Sequence, residues 1–337
     1  MSSVEDTVRA QRLAAQGIGQ ALPDIVSAVR HLVAVQAQSW TGALLAVRAR
    51  VPDVRARDVE RLVSSGELVV SWLNRGTLHL VHRDDFDWLH TLTAPPKASA
   101  LRGRLQRLGI SADHTDELVT QSSEFVTADR EVTKDEISQH LTRLANAFDA
   151  LTTAQLLESA AQRRLVVRGP QRGSEVTYVS ADAWIGTASA LPTRDELVEQ
   201  LVRRYCVSHW PSTPSDAAAW AGVPVGPVKR AWSAAAREGA NTSDSPNVRV
   251  TQLLGQFDPI LHGWTDRKWI LGDHVGRIIT SNGIFRPVVL VNNLGVGTWK
   301  LVNGRVEFDL FTAVGAHDRE ALERDAESVA EFLSRED

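Results

Sequence analysis

Apolar and polar positions fall along this chain in blocks that read as structural elements. From Asp58, the residues Val59, Leu62 and Val63 form a helical stripe that passes Gly66 into the apolar run Leu68-Val69-Val70. A short polar turn, Asn74-Arg75-Gly76, leads into Thr77-Leu78-His79-Leu80-Val81. The plan recurs between Ala154 and Val179. There Leu156, Leu157 and Ala160 mark a helix, Leu165-Val166-Val167 a strand, Gly169 to Gly173 a turn, and Val176-Thr177-Tyr178-Val179 a returning strand. Helix, strand, turn, strand is the back half of a winged helix, and its recurrence predicts two such units.

Thr133-Lys134-Asp135-Glu136 has the form of a capping box ahead of Ile137 and Leu141, and supplies a leading helix for the second unit. A third unit is expected from Arg194 to about Trp232. Leu197, Leu201 and Val202 give it one apolar face, and Thr213-Pro214-Ser215-Asp216 caps a helix bearing Ala218, Ala219 and Trp220. Gly222 and Pro224 then turn the chain into a helix carrying Val228 and Trp232. That is a helix-turn-helix plan, which many helical domains share without touching DNA.

Beyond Gln252, Leu253-Leu254 and Phe257-Asp258-Pro259 precede short β-rich runs: Trp269-Ile270-Leu271, Arg277-Ile278-Ile279, Val288 to Val291, Thr298 to Leu301 and Val306 to Phe308. Asn282-Gly283 and Asn303-Gly304 are hairpin-turn dipeptides. A small antiparallel sheet follows from these runs, closed by an amphipathic helix from about Asp318 to Ser334. The expected fold is α+β and predominantly helical. Three tandem winged-helix units span 1–95, 96–190 and 191–250, with the sheet and closing helix in 251–337. Pro95-Pro96 and Leu191-Pro192 mark joints.

Composition narrows the picture. A chain of 337 residues exceeds one ordinary core, which fits several packed units. No apolar run approaches the roughly 20 residues that span a bilayer. Met1 to Gln20 is polar and mixed in charge, unlike a signal peptide, so the cytoplasm is the expected compartment. Cys206 is the sole cysteine, which excludes an intramolecular disulfide and a thiolate zinc site. With a net charge of -4 and a pI near 6.2, a nucleic-acid binder must sort its charges into faces. Arg48, Arg50, Arg55, Arg57, Arg61, Arg75 and Arg83 cluster early, while acids gather between Asp113 and Glu136 and in the C-terminal tail. On charge alone, solvated helix faces account for these clusters.

No P-loop, dinucleotide glycine motif, HExxH or GxSxG occurs in usable context. The ten histidines are scattered without metal-ligand spacing, and His79 and His82 read as wing surface or packing residues. Neither a metal nor a nucleotide cofactor is expected. What remains is Ile25 to Val47, where Ile25, Val29, Leu32 and Val33 define a stripe that Gln36 continues. Burying an amide without hydrogen bonds costs a few kcal/mol, so a lone Gln36 reads as a core amide bonded to backbone or one facing a solvated groove. Gln38 changes that weighing. On a continuous helix residues two apart point about 200° from each other, whereas extended backbone sends them to one side. Ser39 and Thr41 are candidate N-caps for a fresh helix through Leu44 and Val47. The spacing therefore predicts a helix break near residues 35–39. A helix continuous through Ser39 would remove the shared-site reading.

Ala34-Val35-Gln36-Ala37-Gln38, the wing Trp72 to Val81, Phe257-Asp258-Pro259 and Arg286-Pro287-Val288-Val289-Leu290-Val291 together resemble the AlkZ-like winged-helix DNA glycosylases, relatives of the bacterial YcaQ proteins. The resemblance spans nearly the whole chain. It implies tandem winged helices and hydrolysis of N-glycosidic bonds of alkylated purines in double-stranded DNA, bulky adducts and interstrand crosslinks from genotoxic natural products among them. By motif match Gln36 and Gln38 are the catalytic pair; the YcaQ branch has Asp at the second position, which places this chain on the AlkZ-like side. Arg48, Arg50, Arg75, Thr77, His79, Arg277, Asn282 and Arg286 are the expected DNA-binding residues. Arg75 and Thr77 read equally as wing structure, and Arg277 to Arg286 as a plain surface hairpin or one that probes the duplex. Tandem units within one chain imply that a monomer suffices. The rival expectation is a non-catalytic winged-helix regulator or damage sensor, which accounts for the repeats but gives paired glutamines no purpose.

Overall fold

The computed structural model describes residues 4–94, 102–107, 109–126, 130–144, 150–173, 175–188, 190–242 and 249–334. The chain forms two compact units, one from Met1–Val59 with Val198–Asp337 and the other from Glu60–Leu197. The boundaries expected at 95, 190 and 250 follow local elements and partition the chain differently. The joint at Pro95-Pro96 lies outside the described residues. The architecture is α+β and mostly helical.

The second of these units, Glu60–Leu197, holds both predicted hairpins. Strands Leu68–Leu73 and Thr77–His82 pair antiparallel from Leu68↔His82 to Leu73↔Thr77. Strands Val166–Arg172 and Glu175–Ser180 pair through Val166↔Ser180 and Arg168↔Tyr178, with a register shift before Gln171↔Val176. A bond between the hairpins at Val70↔Arg168 makes them one sheet, and Val132–Thr133 joins its far edge beside Tyr178. Leu118, Ile137, Leu141, Leu156 and Leu157 from three helices bury against this sheet, with Val166 and Tyr178 on its inner face. The capping box at Thr133 is present: Glu136 accepts from the Thr133 backbone at 2.8 Å and Thr133 Oγ1 accepts from Glu136 N at 3.2 Å.

The internal repeat extends to single hydrogen bonds. After the first helix, Gly66 N–H donates to Val63 O and Glu67 N–H to Leu62 O; after the second, Arg164 N–H donates to Ala161 O and Leu165 N–H to Ala160 O. Both are Schellman ends, which need a left-handed residue. Gly66 supplies it at φ +75° and Arg164 at φ +60°. Each hairpin is then shut by one more backbone bond, Arg83 to Glu67 O and Ala181 to Leu165 O. The left-handed arginine costs about 1–2 kcal/mol. Its guanidinium is held by Asp87, Asp182 and the Gly186 carbonyl, which offsets that strain.

In the other unit, helices Pro214–Ala221 and Val225–Thr242 flank Gly222 at φ +73°, and the first opens with the expected Thr213–Asp216 capping box. Strands Arg305–Leu310, Leu294–Val302, Val288–Val291 and Gln252–Leu254 form an antiparallel sheet in that order. Asn303 and Gly304, at φ +50° and +75°, make the two-residue turn between Val302 and Arg305. The closing helix runs Ala316–Leu333. Two expected strands are corrected. Trp269-Ile270-Leu271 lies in a one-turn helix, Lys268–Leu271, entered where Asp266 accepts from Lys268 N and stopped by Gly272 at φ +52°. Arg277-Ile278 lies in the helical turn Val275–Ile278, and only Ile279 reaches a bridge, to Phe285. Runs this short carry no periodicity that separates strand from helix. Among the described residues no helix is long and apolar enough to cross a membrane.

Candidate active site around Gln36 and Gln38

The segment that carries the glutamines is held by its two ends. Asp24 caps the helix Ile25–Leu32 by accepting from Ser27 N at 2.7 Å, and Ile25, Ala28, Val29 and Leu32 are its buried face. The helix does not fade out; it is broken. Val33 adopts φ +67°, ψ -50°, and Ala34 N–H donates to Leu32 O at 2.8 Å. This is a γ-turn with positive φ, a strained geometry for a β-branched residue and worth about 1–3 kcal/mol of cost. Val35–Gln36 is extended, and the chain bends through Gln38 into Ser39. Ser39 then caps the helix Trp40–Arg48, its Oγ accepting from Gly42 N at 3.1 Å. The predicted break is there.

The following helix is fixed by close backbone contact. A Cβ on Gly42 would lie 2.1 Å from Gln256 O, and one on Gly255 would lie 2.8 Å from Leu45 Cβ. Only glycine permits that approach. Just beyond, Asp258 grips Arg50 with two parallel bonds of 3.0 and 2.9 Å, both side chains wholly buried. Arg50 gives its remaining donors to Gln16 O, Gln16 Oε1 and Ala46 O. A buried bidentate pair of this kind is costly to break and sets geometry. The Phe257-Asp258-Pro259 motif thus anchors the helix that begins at the glutamines.

Burial separates the two amides. Gln36 is 7% exposed, and its Oε1 has no hydrogen-bond partner among the described residues. Gln38 is exposed. A buried acceptor without a donor costs about 1–3 kcal/mol and marks a place that a water or ligand completes. In a site of low dielectric, such a fixed dipole acts strongly on developing positive charge.

The other expected residues divide sharply. Arg50 is corrected to a structural role, since burial and five bonds leave it nothing for phosphate. Arg48 is corrected likewise: its guanidinium binds Asp325 at 2.5 Å, whose other oxygen accepts from Leu253 N, tying helix to sheet. His79 is 2% exposed, donates from Nδ1 to Thr77 O at 2.9 Å, and is pushed down to about 3 by burial and then by Arg75, so it is neutral and turned inward. Thr77 Oγ1 donates to Asn74 O at 3.1 Å, closing the wing turn, in which Arg75 sits half-buried at φ +59°. Arg277, in the helical turn Val275–Ile278, and Asn282 and Arg286, on either side of Phe285 in the segment that follows, are all exposed, with Arg277 stacked 3.5 Å over Phe311. Sequence reasoning passed over Ser71 and the Asn74 side chain, both fully buried. A serine inside the apolar run Leu68 to Leu73 was the available signal. Among the described residues no group of three His, Cys, Asp or Glu could hold a metal ion.

The AlkZ-like DNA glycosylase family matches residues 29–332. An interstrand DNA cross-link repair glycosylase of Streptomyces sahachiroi is 24% identical over 339 residues, covering 91% of this chain and 90% of that protein. The solved structure of the Streptomyces sahachiroi DNA glycosylase AlkZ shares the fold, with a TM-score of 0.80 at 23% identity over 98% of this chain and 97% of that one. The chain belongs to the AlkZ-like DNA glycosylases and is an enzyme that hydrolyses the N-glycosidic bond of DNA.

Proposed function

We propose that this glycosylase removes alkylated purines, N7-alkylguanine first among them, from double-stranded DNA, with Gln36 and Gln38 as its catalytic pair. The observation that carries the pair is the unpartnered, buried Gln36 Oε1 at a strained helix break. An N7-alkylguanine already bears positive charge, so its departure needs no strong general acid. What the sugar needs is charge stabilisation and a water held over C1′, and neutral amides supply both as fixed dipoles. Gln36, inside, stabilises the oxocarbenium-like sugar; Gln38, at the solvent side, holds the water. A carboxylate would do more for charge but would depend on its protonation state. The exposed Arg277, Asn282 and Arg286, and Arg75 with Thr77 on the wing, contact the DNA. The name of the Streptomyces sahachiroi relative extends the proposed range to bulky adducts and interstrand crosslinks. The enzyme works as a monomer in the cytoplasm, where its DNA lies.

The test is direct. Duplexes carrying N7-methylguanine, a bulkier N7 adduct or a crosslink are incubated with the protein, and free base and abasic sites are quantified. Release of N7-alkylated base supports the reading; lesion binding without release from any duplex replaces it with the damage sensor.

A further inference from the structure

Three polar atoms of the first wing are buried without partners within one hairpin end. Ser71 and Asn74 are both 0% exposed. Ser71 Oγ and both amide atoms of Asn74, Nδ2 and Oδ1, have no hydrogen bond among the described residues. Ser71 faces His79 directly across the strand pair. The His79 ring gives its Nδ1 proton to the Thr77 carbonyl, and since the ring is neutral its Nε2 is an acceptor. Buried polar groups are paired in the great majority of cases, so three orphans on one hairpin, one in its first strand and two in its turn, point to an occupant. The turn is itself held under strain, with non-glycine Arg75 at φ +59°.

The donor and acceptor pattern selects the occupant. An anionic phosphate oxygen only accepts, and it would meet Asn74 Oδ1 and His79 Nε2, which only accept too. A nucleobase edge both donates and accepts. The amide of Asn74 matches the Watson–Crick edge of guanine, Nδ2–H to O6 and N1–H to Oδ1. His79 Nε2 is suited to the guanine 2-amino group, which adenine lacks. Alkylation at N7 withdraws electron density and makes N1–H a stronger donor to Oδ1. We propose that the first wing reads the base of the substrate, with Asn74 as a specificity-determining residue for guanine and His79 and Ser71 completing the set. This rests on the alkylpurine reading above.

The experiment measures single-turnover release of N7-methylguanine and of N3-methyladenine by the wild type, Asn74→Leu and Asn74→Asp, with melting temperatures for each. Loss of a bidentate base contact predicts a fall of roughly 10- to 100-fold for N7-methylguanine in both variants, and threefold or less for N3-methyladenine. Asn74→Leu removes two orphan atoms at similar volume, so its melting temperature stays level or rises. An equal fall for both bases, no fall for either, or a melting temperature that drops in step with the rate assigns Asn74 to structure and overturns the proposal. Affinity for a duplex holding 2′-fluoro-N7-methyldeoxyguanosine separates the two readings, because the fluorine disfavours the oxocarbenium and blocks hydrolysis. A wild-type preference for that duplex over an unmodified one, lost in Asn74→Leu, supports the wing even where no base is released. The absence of that preference, or its survival in the variant, overturns it.

Discussion

Ser71 faces His79 in the first wing; the matching places in the second, counted from the backbone bonds that shut each hairpin, hold Gly169 and Thr177. There the polar atom is satisfied at once, because Thr177 Oγ1 donates to Pro170 O. There is no room for more, since a Cβ on Gly169 would meet Thr177 Oγ1 at 2.7 Å. In the first wing Ser71 Oγ and the Asn74 amide stay unpaired in the interior. The two hairpins otherwise share their Schellman ends, their strand register at the base and one sheet. What the fold requires is common to both wings. The second wing leaves Arg168 Nε unpaired at a different place, so the Ser71 and Asn74 set is particular to the first wing and not a requirement of the plan, and the stability it costs calls for a function.

Writing the second wing's chemistry into the first is the strongest challenge to this contrast. Ser71→Gly with His79→Thr is expected to lower single-turnover release of N7-methylguanine at least about tenfold, with affinity for undamaged duplex unchanged. A rate within twofold of the parent would make the wings equivalent. The helix ends sharpen the comparison from the side of stability. Gly66→Ala places a side chain at φ +75° with its Cβ 3.1 Å from Trp184 O, and urea unfolding should show a loss of about 1–2 kcal/mol. Arg164→Gly relieves the same backbone strain while losing ion pairs worth under about 1 kcal/mol each, so it should stay within about 1 kcal/mol of the parent.

The smallest effect is on pH dependence. His79 is held well below its usual value, at about 3, so between about pH 6.5 and that value the unfolded chain binds a proton that the folded wing refuses. Stability attributable to His79 is complete above this window and falls as pH drops through it. His79→Thr, the second wing's residue, should make the slope of unfolding free energy against pH shallower by up to one proton. An unchanged slope would show that His79 is not buried neutral. His209, also held at about 3, and the lowered His31 and His90 keep their share of the slope in the variant.

The sequence made the repeat and the glutamine break legible for physical reasons. A helix stripe running through glycine into an apolar strand is a local pattern, and so is Ser39 standing where a new helix must be capped. Two glutamines two apart are useless to each other on a helix, which pointed to extended backbone. The γ-turn at Val33 was not legible, because nothing in a valine announces positive φ. Arg48 and Arg50 were expected among the DNA-binding residues because their partners in the fold, Asp325 and Asp258, lie 277 and 208 residues away in sequence. The union of both wings in one sheet rests on a single nonlocal pair, Val70↔Arg168, that no local pattern encodes. Orphaned side chains such as Asn74 emerge only once burial and partners are known together.

The most direct measurement compares single-turnover release of N7-methylguanine from duplex DNA by the wild type, Gln36→Ala and Gln38→Ala, with lesion binding measured alongside. Removal of one preorganised dipole should lower the rate about 100-fold in each variant while binding holds. Release at the wild-type rate from either variant would contradict the assignment of the two amides as the catalytic pair.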